Sequence, residues 1–196
     1  MKKIILIFSV SLLSAVQSYS QNIYAKRDDV CPLQVGKKVP DVIFKDTKDQ
    51  DISLKDIYAQ KPVLLIFFRG NWCPYCNAHL SELQKIEQEV LKAGYQIVAV
   101  SPDKITEIPK TIEKDKINYT LLSDAAMKAM PEFGIVYREK GYVGLLESAS
   151  GQGHRFLPAP SVFIINKQGD ILFTYVNIDV SKRLSKEIIL AALQNL

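Results

Sequence analysis

Two cysteines separated by two residues, Cys73 and Cys76, constrain the fold of this chain more than any other feature. The apolar run at residues 63–68 comes just before them, and its length and its β-branched and aromatic content are typical of a buried strand. After the pair, apolar residues recur at helical spacing as far as Gly94, where a helix is expected to end. The sequence therefore predicts that the cysteines lie where a buried strand ends and a helix begins.

This position suits thiol redox chemistry for a physical reason. The unpaired N–H groups and the partial positive charge at a helix N-terminus stabilise a thiolate. A thiolate is the nucleophile in disulfide exchange, and a second thiol close by can resolve the mixed disulfide. Because Cys-x-x-Cys in a βαβ pattern is typical of thioredoxin-like sites, the pattern favours redox chemistry over an inert bridge or half of a zinc site.

The first twenty residues are predicted to be a secretory signal peptide. Residues 1–20 begin with two lysines, continue as an apolar stretch too short to span a membrane, and end with small residues at positions 18 and 20. Cleavage before Gln21 would give a periplasmic or secreted protein with no stable membrane insertion, although an uncleaved anchor stays open. The net charge is only +4, and the sequence contains no block of Lys or Arg, so no nucleic-acid partner is expected.

The remaining chain divides into a polar N-terminal arm at residues 21–34 and one α/β domain at residues 35–196. Strand, helix and strand patterns at residues 63–101 predict a parallel pair with a right-handed crossover. Short strands on either side of residues 46–49 predict an N-terminal β-hairpin, and a second hairpin is predicted over residues 161–175.

Three further segments complete the expected order of elements. Residues 105–112 are predicted to be helical with Thr106 as a cap, and residues 125–133 are predicted to be a helix distorted by a proline. Residues 135–158 contain four glycines and are expected to be an irregular insertion beside the active site. A final helix is expected to be capped by Ser181 or Ser185.

Three motifs, in this order, resemble those of a known family. Residues 39–41 read Val-Pro-Asp and lead to Ile-Ser-Leu at 52–54, residues 67–76 read Phe-Phe-Arg-Gly-Asn-Trp-Cys-Pro-Tyr-Cys, and residues 159–169 read Ala-Pro-Ser-Val-Phe-Ile-Ile-Asn-Lys-Gln-Gly. Together they resemble thioredoxin-fold redoxins. More narrowly, they are similar to the peroxiredoxin-like branch of the alkyl hydroperoxide reductase/thiol-specific antioxidant (AhpC/TSA) family.

The resemblance covers residues 31–196 and implies a thioredoxin-like α/β fold, in which helices flank a central mixed β-sheet that an N-terminal β-hairpin extends. It also implies a thiol oxidoreductase that needs no cofactor or metal. Pro160 would be the cis-proline of this fold and face the cysteine pair, since X-Pro is the context in which a cis bond is least costly. Ala159 and Pro160 would then contact the substrate, and Trp72 would pack beside the site and limit access.

The sequence departs from the peroxiredoxin motif at its reactive positions. Ordinary peroxiredoxins have Pro-x-x-x-Thr-x-x-Cys, and alignment on the phenylalanines places Arg69, Cys73 and Cys76 at the proline, threonine and cysteine positions. The peroxide-binding threonine is therefore missing. Thioredoxins instead attack through the first cysteine of the pair, so the family resemblance and the active-site residues point to different reactions.

Three further residues are auxiliary candidates. His79 follows Cys76 on one helical face and is either a proton carrier or, as we expect, an ordinary surface histidine. Arg69 either adds positive potential near the thiols or is a solvated residue at a strand end. Cys31 is a buried free thiol, an intermolecular bridge, or a resolving partner for the pair.

We therefore expect an exported thiol oxidoreductase that exchanges disulfides with protein or small-molecule substrates and with a thiol redox partner. Cys73 would attack, and Cys76 would resolve. One alternative is a peroxiredoxin-like hydroperoxide reductase, with Cys76 as nucleophile and Cys73 or Cys31 resolving. The other is a non-catalytic module that is stapled by a disulfide or binds zinc. The zinc ligands would be Cys73, Cys76 and His79, with Cys31 or His154 as the fourth.

Overall fold

The computed structural model describes residues 22–141, 144, 146–151 and 155–196. The predicted signal peptide at residues 1–20 and the candidate ligand His154 lie outside the described residues. Within the described ranges, no helix combines the length and apolar character that crossing a membrane requires.

The described residues form ten strands, which make up two sheets. They are β1 (Ile23–Tyr24), β2 (Ile43–Lys45), β3 (Asp51–Ser53), β4 (Val63–Phe67), β5 (Gln96–Ser101), β6 (Thr120–Ser123), β7 (Val136–Arg138), β8 (Phe156–Pro158), β9 (Ser161–Ile165) and β10 (Ile171–Val176). The larger sheet has the order β10-β9-β4-β5-β6-β2-β3. Its central strands β4, β5 and β6 are parallel, and the strands outside them pair antiparallel, which confirms the predicted mixed sheet.

Helices cover both faces of this sheet. They are α1 (Leu54–Gln60), α2 (Pro74–Lys85), α3 (Glu87–Lys92), α4 (Ile108–Asp115) and α5 (Lys186–Asn195). Alternate residues of β4 point to opposite faces, as strand geometry requires. Leu64 and Ile66 pack into a core with α2 to α5, whereas Leu65 and Phe67 pack into a second core with α1. Because both faces are covered, every residue of β4 is buried, as its unbroken apolar run predicted.

Most of the predicted elements are present, and their ends differ in detail. Both hairpins form, and Ser185 caps α5 by accepting a hydrogen bond from the N–H of Ile188 at 3.4 Å. The helix after the cysteines is divided at Ile86 into α2 and α3. Helix α4 begins at Ile108 without a side-chain cap, so the expected cap at Thr106 is wrong.

The predicted helix at residues 125–133 is wrong. The Asp124 carboxylate accepts hydrogen bonds from the N–H groups of Lys128, Ala129 and Met130, at 2.7 to 3.1 Å. An aspartate that binds nearby backbone donors offers them an alternative to helical hydrogen bonds. The segment is therefore a loop that ends in a short 3₁₀ turn at Met130–Phe133.

The described part of residues 135–158 contains more regular structure than the glycine content predicted. Strand β7 pairs antiparallel with β8 and parallel with β1, which forms a small second sheet. Tyr137, Leu146 and Leu157 are buried together beneath it. Burial of this small core offsets the conformational entropy that the segment loses on folding. Pairing of β1 with β7 joins the N-terminal arm to the domain.

Candidate active site

The cysteine pair lies at the predicted junction. Strand β4 ends at Phe67, a short loop follows, and Cys73 occupies the N-cap position of α2. The N–H of Cys73 donates to the Gly70 carbonyl at 3.2 Å, and the Cys73 carbonyl accepts the N–H of Cys76 at 3.0 Å. Both side chains are buried, with exposed fractions of 1% and 0%, and both thiols are free.

The pKa values of the two thiols are shifted in opposite directions. The hydrogen bond from the Cys76 side chain lowers the pKa of Cys73 to about 6, against burial, which would raise it. The Arg183 and Arg69 charges lower it further. Burial raises the pKa of Cys76 well above its ordinary value, and the neighbouring Cys73 raises it more. These shifts favour a thiolate at Cys73 and a protonated thiol at Cys76.

Arg183 is a site residue that sequence reasoning missed. Its Nη2 donates to Cys76 Sγ at 3.1 Å and lies 3.8 Å from Cys73 Sγ. Its Nη1 donates to the carbonyls of Val180 and Lys182, at 2.7 and 2.6 Å, which fixes the guanidinium in the loop before α5. Arg183 belongs to no motif and lies 107 residues after Cys76, so only the folded chain brings them together.

His79 is not the surface residue that we expected. Its side chain is only 8% exposed, on the face of α2 that packs against the segment containing Arg183 and Leu184. Burial first, and then the Arg183 charge, lower the pKa of His79 to about 4, while a hydrogen bond with the Leu184 backbone acts against them. The imidazole is therefore neutral at physiological pH, which does not favour a role as proton carrier.

Arg69 is buried as well, so the prediction of a solvated arginine is wrong. Its side chain is 5% exposed, and its guanidinium lies 4.7 Å from the centroid of the Trp72 ring. A carboxylate oxygen of Glu139 lies 3.9 Å from Arg69 Nη2. Arg69 therefore carries a positive charge close to the cysteines, while its contacts link their loop to β7.

The expected cis-proline is absent, since the Ala159–Pro160 bond is trans. The backbone here is engaged within the protein. The Ala159 N–H donates to the Ile135 carbonyl at 2.8 Å, and the carbonyls of Ala159 and Pro160 accept from Ser161 Oγ and the Asn177 N–H. Because these groups are used internally, they are not free to pair with a bound peptide in this conformation.

Trp72 lies between the cysteines and the Ala159 segment. The half-buried indole packs against the core that contains Cys73 and Cys76, and also against the small core that contains Ala159. The Ala159 segment therefore contacts the cysteine pair indirectly, through the Trp72 ring that packs against both. Their role in binding substrate stays a prediction.

Cys31 is exposed, so the interpretation as a buried free thiol is wrong. Its carbonyl accepts a hydrogen bond from the Tyr24 hydroxyl at 3.3 Å and lies against Gly134. Its roles as an intermolecular bridge or resolving thiol stay predictions. In the part of the chain that the structure describes, no group of three or more His, Cys, Asp or Glu side chains is arranged to hold a metal ion.

The sequence of this chain matches the AhpC/TSA family over residues 35–174. It is 30% identical to a putative peroxiredoxin bcp of Haemophilus influenzae over 141 residues, which cover 72% of this chain and 84% of that protein. It is 31% identical to peroxiredoxin Bcp of Escherichia coli K12 over 113 residues, which cover 58% of this chain and 71% of that protein.

Solved structures show the same fold. Reduced Prx3 of Vibrio vulnificus in complex with H₂O₂ superposes with a TM-score of 0.72 at 20% identity, covering 83% of this chain and 96% of that chain. Peroxidoxin BcpB of Mycobacterium tuberculosis gives a TM-score of 0.67 at 21% identity, covering 84% of this chain and 98% of that chain. At these identities the similarity establishes the thioredoxin-like fold.

Proposed function

Because the chain belongs to the AhpC/TSA family and is a thiol-based oxidoreductase, we propose that it reduces hydroperoxides with Cys73 and Cys76. The observation that carries the proposal is the buried pair of free thiols at the start of α2, with the Arg183 guanidinium 3.1 Å from Cys76 Sγ and 3.8 Å from Cys73 Sγ. A thiolate is the form that attacks peroxide, and the neighbouring Cys76 can attack the resulting sulfenic acid as its proton passes to the leaving hydroxyl. The names of the relatives, which are peroxiredoxins, support the same reaction.

The reaction proceeds in balanced steps. The Cys73 thiolate attacks one peroxide oxygen, the O–O bond breaks, and the leaving oxygen takes a proton from solvent to become an alcohol or water. Cys73 becomes a sulfenic acid. The Cys76 sulfur then attacks the Cys73 sulfur, a disulfide forms, and the hydroxyl leaves with the Cys76 proton as water. An external dithiol reduces the disulfide by thiol–disulfide exchange and is itself oxidised.

Arg183 supports this chemistry by its position. Its guanidinium donates to one sulfur at 3.1 Å and lies 3.8 Å from the other, in a site shielded from water. A fixed positive charge there stabilises the thiolate and also the negative charge that moves to the leaving oxygen. Arg69 adds a second positive charge, which lowers the pKa of Cys73 less than Arg183 does.

A small peroxide suits this site better than a protein disulfide as the primary substrate. Both sulfur atoms are buried, and the backbone around Pro160 is hydrogen-bonded internally. A peroxide needs a smaller opening than a peptide segment does. The sequence favoured exchange with protein or small-molecule disulfides as the main reaction; in this proposal disulfide exchange, with a thiol partner, becomes the recycling step.

A second candidate assigns the attack to Cys76. Cys76 occupies the reactive position of the peroxiredoxin motif, and Arg183 is closer to its sulfur than to that of Cys73. In this version Cys73 or Cys31 would resolve. The two versions predict that different single-cysteine variants keep the fast reaction with peroxide.

The test is rapid-mixing peroxide oxidation of Cys73→Ser and Cys76→Ser, with the product at each cysteine identified by mass spectrometry. We expect Cys76→Ser to accumulate Cys73 sulfenic acid and Cys73→Ser to react slowly. Rapid oxidation of Cys76 in Cys73→Ser would support the second candidate instead. Failure of the unmodified protein to consume peroxide with any dithiol would contradict both. Cys31→Ser reports whether Cys31 contributes to resolution.

We also propose that residues 1–20 direct export, which would place the enzyme in the periplasm or outside the cell. The basic start, apolar stretch and small residues at the cleavage position support it. Fractionation followed by N-terminal sequencing tests the proposal, with Gln21 as the expected first residue. A full-length chain that remains in the cytoplasm would contradict it.

A further inference from the structure

A buried carboxylate lies behind the loop that leads into Cys73. Asp103 follows β5 and is 0% exposed. Its Oδ2 accepts hydrogen bonds from the Asn71 N–H at 2.9 Å and from Ser101 Oγ at 2.8 Å. The Asp103 backbone is held as well, since its carbonyl accepts from Ser123 Oγ at 2.6 Å. The side chain therefore projects from the ends of two central strands towards the cysteine loop.

Asn71 connects this carboxylate to the helix that carries the cysteines. Its N–H is bound by Asp103, and its carbonyl accepts from Asn77 Nδ2 in α2 at 2.9 Å. Its side chain donates to Glu107 Oε2 at 3.2 Å. Asn71 is thus fixed on the strand side by a carboxylate and on the helix side by the first turns of α2.

Gly70 brings the backbone close to the carboxylate. Its φ of +135° lies in the region that favours glycine, and an added Cβ would lie 2.7 Å from Asp103 Oδ1. The Gly70 carbonyl accepts the N–H of Cys73 at 3.2 Å. The loop therefore fits between Asp103 and the N-cap residue of α2, and a shift at Asn71 would move Cys73.

The environment of Asp103 makes its charge costly. Burial raises the pKa of Asp103 to about 6, and Glu107 raises it further, while Ser150, Ser101 and the Asn71 N–H lower it. Lys104, the next residue along the chain, packs its aliphatic part against Gly151 and is not among the main groups that shift the pKa of Asp103. A neutral asparagine would accept the same N–H at a lower desolvation cost, whereas an ionised acceptor binds it more strongly.

We propose that Asp103 is a positioning residue for Cys73: its ionised carboxylate holds the Asn71 N–H and thereby fixes the loop that leads into Cys73. Protonation of Asp103 weakens the Asn71 hydrogen bond, loosens the loop, and lowers the reactivity of Cys73. The inference rests on the proposed role of Cys73 as the reactive thiolate.

The test measures iodoacetamide alkylation of Cys73 against pH, by peptide mass spectrometry, in a Cys31→Ser background that removes the exposed thiol. The parent rate should fall below pH 6 more steeply than one ionisation allows, because Asp103 and Cys73 both take up protons there. In Asp103→Asn, the rate at pH 7.5 should be roughly fivefold lower, the effect of replacing a charge-assisted hydrogen bond by a neutral one. Its acid limb should follow one ionisation.

Asp124→Asn is the matched control, because Asp124 is a buried carboxylate that binds backbone N–H groups at the end of the neighbouring strand β6. It should lower thermal stability and leave the alkylation profile unchanged. Equal effects of the two variants, or an unchanged profile in Asp103→Asn, would overturn the inference. A parent profile with a single ionisation would also overturn it, even if Asp103→Asn does not fold. Unreactive Cys73 in the parent would instead contradict the proposed function, and the inference with it.

Discussion

At the scale of single residues, the site depends on how two thiols and one arginine share a buried volume. Cys73 becomes acidic because Cys76 donates to it, and Cys76 remains protonated because it is buried. Arg183 is the positive charge that contacts both sulfur atoms. Each group is costly to bury alone, and together they stabilise one thiolate.

Arg183→Ala should therefore raise the pKa of Cys73 and slow its reaction with peroxide. The loss of one charge-assisted hydrogen bond corresponds to about 1.5 to 3 kcal/mol, or a rate reduction of roughly tenfold to a hundredfold. Thiolate absorbance at 240 nm against pH gives the pKa, and stopped-flow peroxide oxidation gives the rate. Arg155→Ala removes an exposed arginine and should change neither. An unchanged Cys73 pKa in Arg183→Ala would show that the contact has no electrostatic effect.

His79 should make the protein less stable as the pH falls from about 6.5 to about 4. Its pKa is lowered to about 4 in the folded state, so the unfolded chain takes up a proton first and unfolding becomes more favourable. The contribution is on the order of 3 kcal/mol, present above pH 6.5 and lost near pH 4. Urea unfolding at several pH values should show this extra loss in the unmodified protein and not in His79→Gln. Parallel pH dependences would contradict a neutral, buried His79.

At the scale of elements, Gly134 allows the N-terminal arm to pack closely against the domain. Gly134 ends the 3₁₀ turn with a φ of +69°, and an added Cβ would lie only 2.1 Å from the Cys31 carbonyl oxygen. The arm therefore packs directly on backbone that has no side chain.

Gly134→Ala should destabilise the protein by more than the 1–2 kcal/mol expected for a non-glycine residue at positive φ. The additional loss comes from the clash with the Cys31 carbonyl. Gly36→Ala is the matched control, because Gly36 has a φ of +83° and open space where the Cβ would be. Thermal and urea unfolding of the two variants measure the difference. Equal destabilisation would mean that the arm shifts at no cost.

At the scale of the whole molecule, the redox state of the cysteine pair should change the hydrogen-exchange rate of the loop before α5. Forming the Cys73–Cys76 disulfide removes the thiolate that Arg183 stabilises, so the loop at residues 177–185 loses a contact with α2. Hydrogen exchange in this loop should be faster after peroxide treatment than in the reduced protein. Amides in β4 and β5 should remain slow, and Cys76→Ser, which cannot form the disulfide, serves as control. Equal exchange in both redox states would contradict this coupling.

Sequence patterns alone determined the frame of the molecule. The unbroken apolar run of β4, the helical spacing after Cys76 and the two hairpins follow from local periodicity, which each segment carries within itself. The position of the cysteines at a strand end and a helix start follows from the same patterns. The motif order correctly indicated the AhpC/TSA family.

Tertiary structure decided what the local patterns do not contain. The helix expected at residues 125–133 was displaced by the Asp124 carboxylate, and the burial of His79 and Arg69 depends on segments distant in the chain. The contact of Arg183 with Cys76 spans 107 residues and has no sequence signal. The pKa of Cys73 is lowered first by the hydrogen bond of Cys76, which acts against burial, and then by the Arg183 and Arg69 charges, so it is set only when the chain is folded.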